Sequence, residues 1–385
     1  MKPTEFQELT ATKLQRITWL SSMDRNKCFN NLMHLFNEES LEGCYREMDR
    51  NKALGIDQVS KEMYGVQLNA NLKELVQKLK RMAYRPGNLR KVNIPKEGKA
   101  GETRALAISN FEDKLVQKMM HKVLESIYEP VFLECSYGFR PGRGCHDAIR
   151  ALRQHLYENE VETVIDVDLA NYFGTIDRKV LLNILSKKIA DKRLLRYIVR
   201  LLKSGVLSEG ELELTEEGVN QGSNCSPILA NIFAHYVIDE WFQEVVKKSC
   251  SGKVGLFRYC DDAVICCRYA NDAKRIRKAL ASRLTKYGLK LNEDKTKMVN
   301  FDRKSYVLGA KPEGFVFLGF TFYWGRSRGG KDIPKLKSSG KRLRSKLQKV
   351  NIWAKKIRNM CKLRDIWKLF CLKLAGHIRY YWCVI

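Results

Sequence analysis

Two apolar runs that end in acids constrain this chain more than any other feature. Thr163-Val-Ile-Asp166-Val-Asp168-Leu169 alternates, so Ile165, Val167 and Leu169 share one face of a strand while Asp166 and Asp168 share the other. Gly255-Leu-Phe-Arg-Tyr-Cys-Asp-Asp-Ala-Val-Ile-Cys-Cys267 reads as two apolar half-strands around adjacent acids, a hairpin with Asp261 and Asp262 at its tip. Both sets of acids lie at the open ends of apolar strands, where side chains of one sheet can converge.

These acids stand in a cationic chain. Over 385 residues, 70 Lys+Arg oppose 43 Asp+Glu, a net charge of +27. That is far more than solubility needs and points to a polyanionic partner. The excess is concentrated: residues 326–385 hold eighteen Lys+Arg against Asp332 and Asp365, and residues 78–104 hold nine against two acids. In the C-terminal stretch, Leu343, Leu347, Val350, Ala354, Ile357 and Cys361 recur at helical spacing as one apolar stripe. Lys341, Arg344, Lys346, Lys349, Lys355, Lys356 and Arg358 point elsewhere with almost no acid at i+4, a face suited to phosphates.

Other classes fall away. Met1 to Leu20 mixes charges through its apolar residues, unlike a signal peptide. The longest uncharged run, Gly218 to Ile238, is broken by Asn220, Gln221, Asn224, Pro227 and Asn231, so no membrane span is expected. Twelve cysteines without a C-x-x-C pair suggest neither a disulfide framework nor a zinc site. The expected compartment is a reducing cytoplasm.

The remaining pattern is α+β. The first ~40 residues read as amphipathic helix. Leu89–Ile94 and Thr103–Ile108 flank a turn-rich Lys96–Gly101 and predict a hairpin. A helix follows, with Ser109 and Glu112 as a capping box, Leu115, Val116, Met119, Met120, Val123, Leu124 and Ile127 as its core face, and Pro130 beyond its end. Helical patterns resume over Val180–Val206 and Ile228–Val246, and the tail reads as all-α. The acids have two readings at this level: salt-bridged surface groups, or ligands for divalent cations that share their coordination with substrate phosphates.

Tyr259-Cys260-Asp261-Asp262 matches the Y-x-D-D signature of reverse transcriptases, and its companions occur in the order of the group II intron reverse transcriptase/maturase lineage. Asn51-Lys-Ala-Leu-Gly-Ile-Asp57 resembles N-K-x-x-G-x-D. Tyr84-Arg85-Pro86, Ile94-Pro95-Lys96 and Arg104-Ala-Leu-Ala-Ile108 resemble the fingers motifs. Ser136-Tyr-Gly-Phe-Arg-Pro141 matches S-x-G-F-R-P, and Gln221-Gly222 with Ser226-Pro-Ile-Leu-Ala-Asn231 matches Q-G-x-x-x-S-P-L-L-A-N. Gly288-Leu-Lys-Leu-Asn-Glu-Asp-Lys-Thr296 and Phe317-Leu-Gly-Phe320 match the last palm motifs. The resemblance covers about residues 41–325.

It implies an α+β right-hand polymerase with fingers, a palm built on an antiparallel sheet, and a short α-helical thumb. The divisions are 1–40 as an N-terminal helical extension, 41–162 as fingers with the start of the palm, 163–325 as palm, and 326–385 as a basic, truncated thumb. The implied activity is RNA-directed DNA synthesis with dNTPs on an RNA template from a DNA or RNA primer, using two Mg²⁺ ions with Mn²⁺ as a substitute. Asp168 and Asp261 would hold the metals with Asp262 beside them. Lys96 and Arg104 would hold the triphosphate, Phe173 would be the steric gate against a 2′-hydroxyl, and Gln221 and Gly222 would lie against the templating pair. Lys295 would neutralise or protonate departing pyrophosphate, Tyr259 would pack near the primer end, and Phe317–Phe320 would support the primer strand.

Departures are few. Cys260 stands where most intron-encoded members have Ala, Leu169-Ala-Asn-Tyr replaces I-K-G, and His146 reads as structural. Trp353–Tyr381 resembles the opening of a maturase thumb; neither a DNA-binding module nor an HNH cluster follows, so strand cleavage is not expected. Two alternatives share the features: a maturase that binds intron RNA, which needs the basic surfaces but not the acids, and an RNA-dependent RNA polymerase, which Phe173 opposes.

Overall fold

A computed structural model describes residues 5–95, 103–208, 211–213, 217–219, 222–309 and 312–382. Its strands are β1 (Leu89–Pro95), β2 (Thr103–Ile108), β3 (Thr163–Asp168), β4 (Val206–Ser208), β5 (Glu211–Glu213), β6 (Val254–Tyr259), β7 (Asp262–Cys267), β8 (Lys297–Asn300), β9 (Phe315–Phe317), β10 (Phe320–Arg326) and β11 (Asp332–Ser338). They form three sheets, β2-β1-β4-β5, β6-β7-β3-β8 and β11-β10-β9.

The central sheet β6-β7-β3-β8 is antiparallel throughout and divides the core in two. The odd positions of β3, Ile165 and Val167, join Ala263 and Ile265 in a large helical core with Leu115, Leu124, Leu181, Leu229 and Phe233. Its even positions begin with Val164, which joins Val264, Cys266 and Phe257 in an aromatic core with Phe301, Phe315, Phe320, Phe322 and Trp324. Asp166 and Asp168 continue that second face. The alternation read from the sequence thus becomes two hydrophobic cores with a line of acids at the edge of one.

Around this sheet the helix Phe111–Tyr128 buries twelve of its residues. It begins at Asn110 rather than on a Ser109 cap, and Asn110 makes no side-chain cap. Its Oδ1 accepts from Ile56 N, while Ser109 Oγ accepts from Gln117, so both groups are spent on long-range contacts that local spacing cannot show. The segment read as helical over 180–206 is two helices, Arg178–Ser186 and Lys192–Leu202, running into β4, which pairs parallel with β1. The hairpin β1–β2 forms as expected, from Arg90 opposite Ile108 to Pro95 opposite Thr103.

The tail is not all-α. β11 pairs with the whole of β10, and its buried Pro334 and Leu336 alternate with lysines, a period-2 pattern masked by the basic composition. After it come the helices Gly340–Ile357 and Leu363–Trp382. The apolar stripe of the first is at best half-buried, and none of this helix's residues is fully buried; Leu347 is 60 % exposed. The described cysteines are free thiols, and among the described residues no helix is long and apolar enough to cross a membrane.

One acid ties the N-terminal segment to this body. Asp191 is buried, caps the helix Lys192–Leu202 through the Arg193 and Leu194 amides, and also accepts from Leu32 N and Met33 N. Asp191→Ala strands four amide donors and is expected to lower unfolding stability by about 2–4 kcal/mol in urea titration, with Asp191→Asn costing less.

Candidate active site

The site begins with strand register. Asp168 lies opposite Asp262 across the β3–β7 ladder, so both side chains leave the same face, with Asp166 two positions back along it. Asp261 sits in the two-residue turn between Tyr259 and Asp262, which are themselves paired. The turn is strained: Cys260 has φ +60°, a conformation that non-glycine residues rarely adopt.

What holds this turn was not singled out from the sequence. Arg258, the last inward residue of β6 before Tyr259, is buried at 1 % exposure. Its Nε and Nη2 reach Asp239 Oδ1 and Oδ2 at 2.7 and 2.6 Å. Nη1 donates to Asn231 Oδ1 and to the Cys260 carbonyl, both at 3.0 Å, and Nη2 also donates to Ser136 Oγ at 2.7 Å. Asn231 in turn donates to the Gly138 carbonyl. A Cβ on Gly138 would fall 2.3 Å from Cys260 Sγ and 2.7 Å from its amide nitrogen, so the turn needs glycine beneath it and a small residue in it. Asp239 comes from a π-helical turn, His235–Asp239, that follows the helix Ser226–Ala234. A signal existed: a lone Arg inside an apolar strand and a lone Asp inside an apolar helix each require a buried partner.

The acids are crowded. Burial, and then the charges of Asp262 and Asp168, push the Asp166 carboxyl up to about 7. Asp262 is raised to about 6 by burial and then by Asp261 and Asp168, while Arg342 and Lys295 pull it down. Asp261 is also raised, chiefly by burial, against the opposing charge of Arg104.

The other expected site residues divide. Lys295 is paired with Asp168, its Nζ 3.2 and 3.3 Å from the carboxylate oxygens, rather than standing free for a leaving group. The segment bearing it clasps the same acid: Asn292 N donates to the Asp168 carbonyl and Asp168 N to Thr296 Oγ1. Arg104 is exposed on β2, close enough for Asp261 to feel its charge. Phe173 is half-buried against the helical core, edge-on to Tyr172, and its carbonyl accepts from Val219 N at 2.7 Å. Gly222 has φ +110°, and a Cβ there would lie 2.6 Å from the Ala107 carbonyl; the close approach is to β2 of this chain. Tyr259 packs on the aromatic core. Phe317 and Phe320 are buried in that core, so they shape the Leu318–Gly319 turn between them rather than presenting their rings. Lys96 and Gln221 lie outside the described residues.

Three carboxylates on one sheet edge, each held above its usual range or beside one that is, offer hard oxygen donors and a surplus of negative charge that a divalent cation would relieve. The donor chemistry fits Mg²⁺. Among the described residues no three His, Cys, Asp or Glu side chains are already grouped to hold a metal ion, and Asp168 is turned onto Lys295.

A central antiparallel sheet with paired acids at its edge and a Y-x-D-D turn is the arrangement of a polynucleotide polymerase. The family described as reverse transcriptase (RNA-dependent DNA polymerase) matches residues 94–322, and the chain belongs to it. Its relatives place it in the group II intron-like branch. Protein YkfC of Escherichia coli is 31% identical over 310 residues, covering 72% of this chain and 77% of that protein. The group II intron-encoded protein LtrA of Lactococcus lactis is 31% identical over 236 residues, covering 61% of this chain and 38% of LtrA. A 91 kDa protein in the cob intron of Schizosaccharomyces pombe is 38% identical over 174 residues, covering 45% of this chain and 21% of that protein. The chain therefore spans well under half the length of the intron-encoded relatives it matches.

Two outcomes follow from the geometry. Arg258→Met leaves Asp239 buried without its cation and is expected to cost about 3–5 kcal/mol of stability, read as a fall in Tm. The acid cluster acts in the opposite sense. Carboxyls raised from about 4 when unfolded to about 6 or 7 when folded bind protons on folding, so stability falls as pH rises through that window. Thermal melts in EDTA should show this decline between about pH 4 and 7, flattened in Asp166→Asn and in Asp262→Asn.

Proposed function

We propose that this chain is an RNA-directed DNA polymerase of right-hand build, with the sheet β6-β7-β3-β8 as the heart of the palm (163–325). Fingers over 41–162 would carry the β1–β2 hairpin, and residues 326–385 would supply a basic thumb. The observation that carries the reading is the register placing Asp168 opposite Asp262 with Asp261 in the adjoining turn.

Asp168 and Asp261 are the metal-holding pair in this reading, with Asp262 beside them. Mg²⁺ held by these residues would supply activation of the primer 3′-hydroxyl as a nucleophile and charge stabilisation for the leaving pyrophosphate. The chain's own groups then set the geometry. Arg104 offers a fork to the triphosphate of the incoming dNTP, exposed to solvent on β2, and Lys96 would add a point charge. Lys295 shields Asp168 until cation and nucleotide arrive, then is released toward the phosphates. The half-buried Phe173 ring, five residues beyond Asp168, closes the space a 2′-hydroxyl would need. Gly222 and Gln221 would border the templating pair, and Tyr259 the primer end. The cationic surfaces hold template and product mainly by phosphates, so binding should weaken steeply with salt.

Intron RNA is a further partner in this reading, since LtrA is an intron-encoded protein and the exposed helices Gly340–Ile357 and Leu363–Trp382 carry far more base than acid. Primer extension on an RNA template with Mg²⁺ tests the main activity. Asp261→Ala is expected to lose at least about a hundredfold in rate. Phe173→Ala is expected to retain dNTP incorporation and gain rNTP use by roughly 10–200-fold. Extension by Asp261→Ala at the wild-type rate would remove the metal site, and equal use of rNTPs by the unaltered chain would favour an RNA polymerase instead.

A further inference from the structure

The four-residue helical turn Tyr172–Thr175 carries Phe173 and is entered through Asn171 at φ +46°. A non-glycine residue keeps that conformation only where surrounding contacts over-determine it. The two rings of the turn are held differently. Tyr172 is buried, and its hydroxyl donates to the Ala230 carbonyl at 2.6 Å. Phe173 is half-buried, and its main chain is fixed by residues 217–219. Val219 N donates to the Phe173 carbonyl at 2.7 Å and Gly218 N to the Ile176 carbonyl at 2.9 Å. A Cβ on Gly218 would lie 2.8 Å from the Gly174 carbonyl oxygen and 2.9 Å from its Cα, and φ there is +85°, so the two segments meet backbone to backbone.

One side chain grips these residues from the other side. Arg178 opens the helix Arg178–Ser186 and is 8 % exposed. Its Nε donates to the Gly218 carbonyl at 2.9 Å and its Nη2 to the Glu217 carbonyl at 3.0 Å. Neither the helix nor the burial favours a cation at this position. The first turn of a helix repels positive charge, and burial draws the guanidinium below its ordinary range, against the opposing pull of Glu217. A planar fork that spans two successive carbonyls is what Arg supplies and Lys does not. The gripped residues lead to Gly222, three positions beyond Val219, which packs on the Ala107 carbonyl of β2.

We propose that Arg178 is a positioning residue for sugar selection: by gripping the Glu217 and Gly218 carbonyls it holds Val219 against the Phe173 main chain, and so fixes how closely the Phe173 ring approaches the sugar of the incoming nucleotide. The consequence for sugar choice rests on the polymerase reading with Phe173 as its gate; the clasp itself does not. Arg178 acts through residues 217–219 and Phe173, without touching the reacting groups.

Two measurements separate clasp from consequence. In hydrogen exchange on the free protein, Arg178→Met is expected to quicken the amides of Gly218 and Val219 by about tenfold, while β3 and the helix Lys192–Leu202 exchange as before. In primer extension on an RNA template, Arg178→Met should raise the ratio of rNTP to dNTP kcat/KM by about tenfold, with kcat for dNTP addition within about threefold. Phe173→Ala already lacks the ring, so adding Arg178→Met to it should leave that ratio unchanged within about twofold. Arg178→Lys keeps a cation without the fork and should shift both readouts in the same direction by less; it carries the test if the methionine variant does not fold. Unchanged exchange at 218–219 would overturn the clasp, as would an equal rise across β3, which would mean lost packing only. An unaltered rNTP-to-dNTP ratio alongside quickened exchange would overturn the role in sugar selection, as would full additivity with Phe173→Ala. A wild-type chain that extends no primer, or a Phe173→Ala variant with unaltered sugar choice, would sink the gate reading instead and leave exchange to decide the clasp by itself.

Discussion

The buried guanidinium of Arg258 is the interaction on which the site depends. It gathers Asp239 from a π-helical turn, Asn231 from the preceding helix, Ser136 from a loop more than a hundred residues upstream, and the carbonyl of Cys260 in the acidic turn itself. A buried ion pair is weak evidence of net stabilisation, because desolvating both charges costs several kcal/mol. Its worth here is geometric. A two-residue turn with a non-glycine residue at φ +60° relaxes unless something fixes its carbonyl, and Arg258 does so from one side while Gly138 closes the other. The motifs that frame the site, S-x-G-F-R-P and S-P-x-L-A-N, thereby gain a physical account: each supplies a side chain or a bare backbone to one hub.

The acids sit at the margin of the aromatic core for a related reason. The sheet's two faces bury different cores, and the even face of β3 runs out of aromatic cover just where Asp166, Asp168 and Asp262 begin. Burial and the neighbouring charges raise the proton affinity of Asp166 and Asp262, which is unfavourable for the fold above neutral pH. Local conflict of this kind is expected where chemistry, rather than stability, has shaped the residues.

The C-terminal helical hairpin is built on the opposite plan. It carries a dense positive charge with Trp367, Leu372 and Trp382 mostly exposed, and it meets the body through the β9–β10 turn and one helical turn of its own. An element with so few buried contacts lies at the low-stability end of the molecule, which suits a part proposed to close on a duplex.

Much of this was legible in the residues. The alternation in Thr163–Leu169 dictated which side of β3 meets the helical core, because strand period and apolar spacing admit one solution. The paired half-strands around Asp261 and Asp262 required a hairpin, and the hairpin over 89–108 followed from turn residues between apolar runs. These are local determinants. The capping of the helix at Phe111, the strand character of 332–338 and the pairing of β4 with β1 were not, since each depends on partners far along the chain. Above all, sequence placed Asp168 near the end of a strand and Asp261 at a hairpin tip 93 positions away; only the tertiary register set Asp168 opposite Asp262, turned Lys295 onto Asp168, and revealed Arg258 as the group that holds the turn. Periodicity declares which face a side chain takes, but which distant charge it meets is settled by the packing of whole elements, where a buried ion can exist only beside its counter-ion.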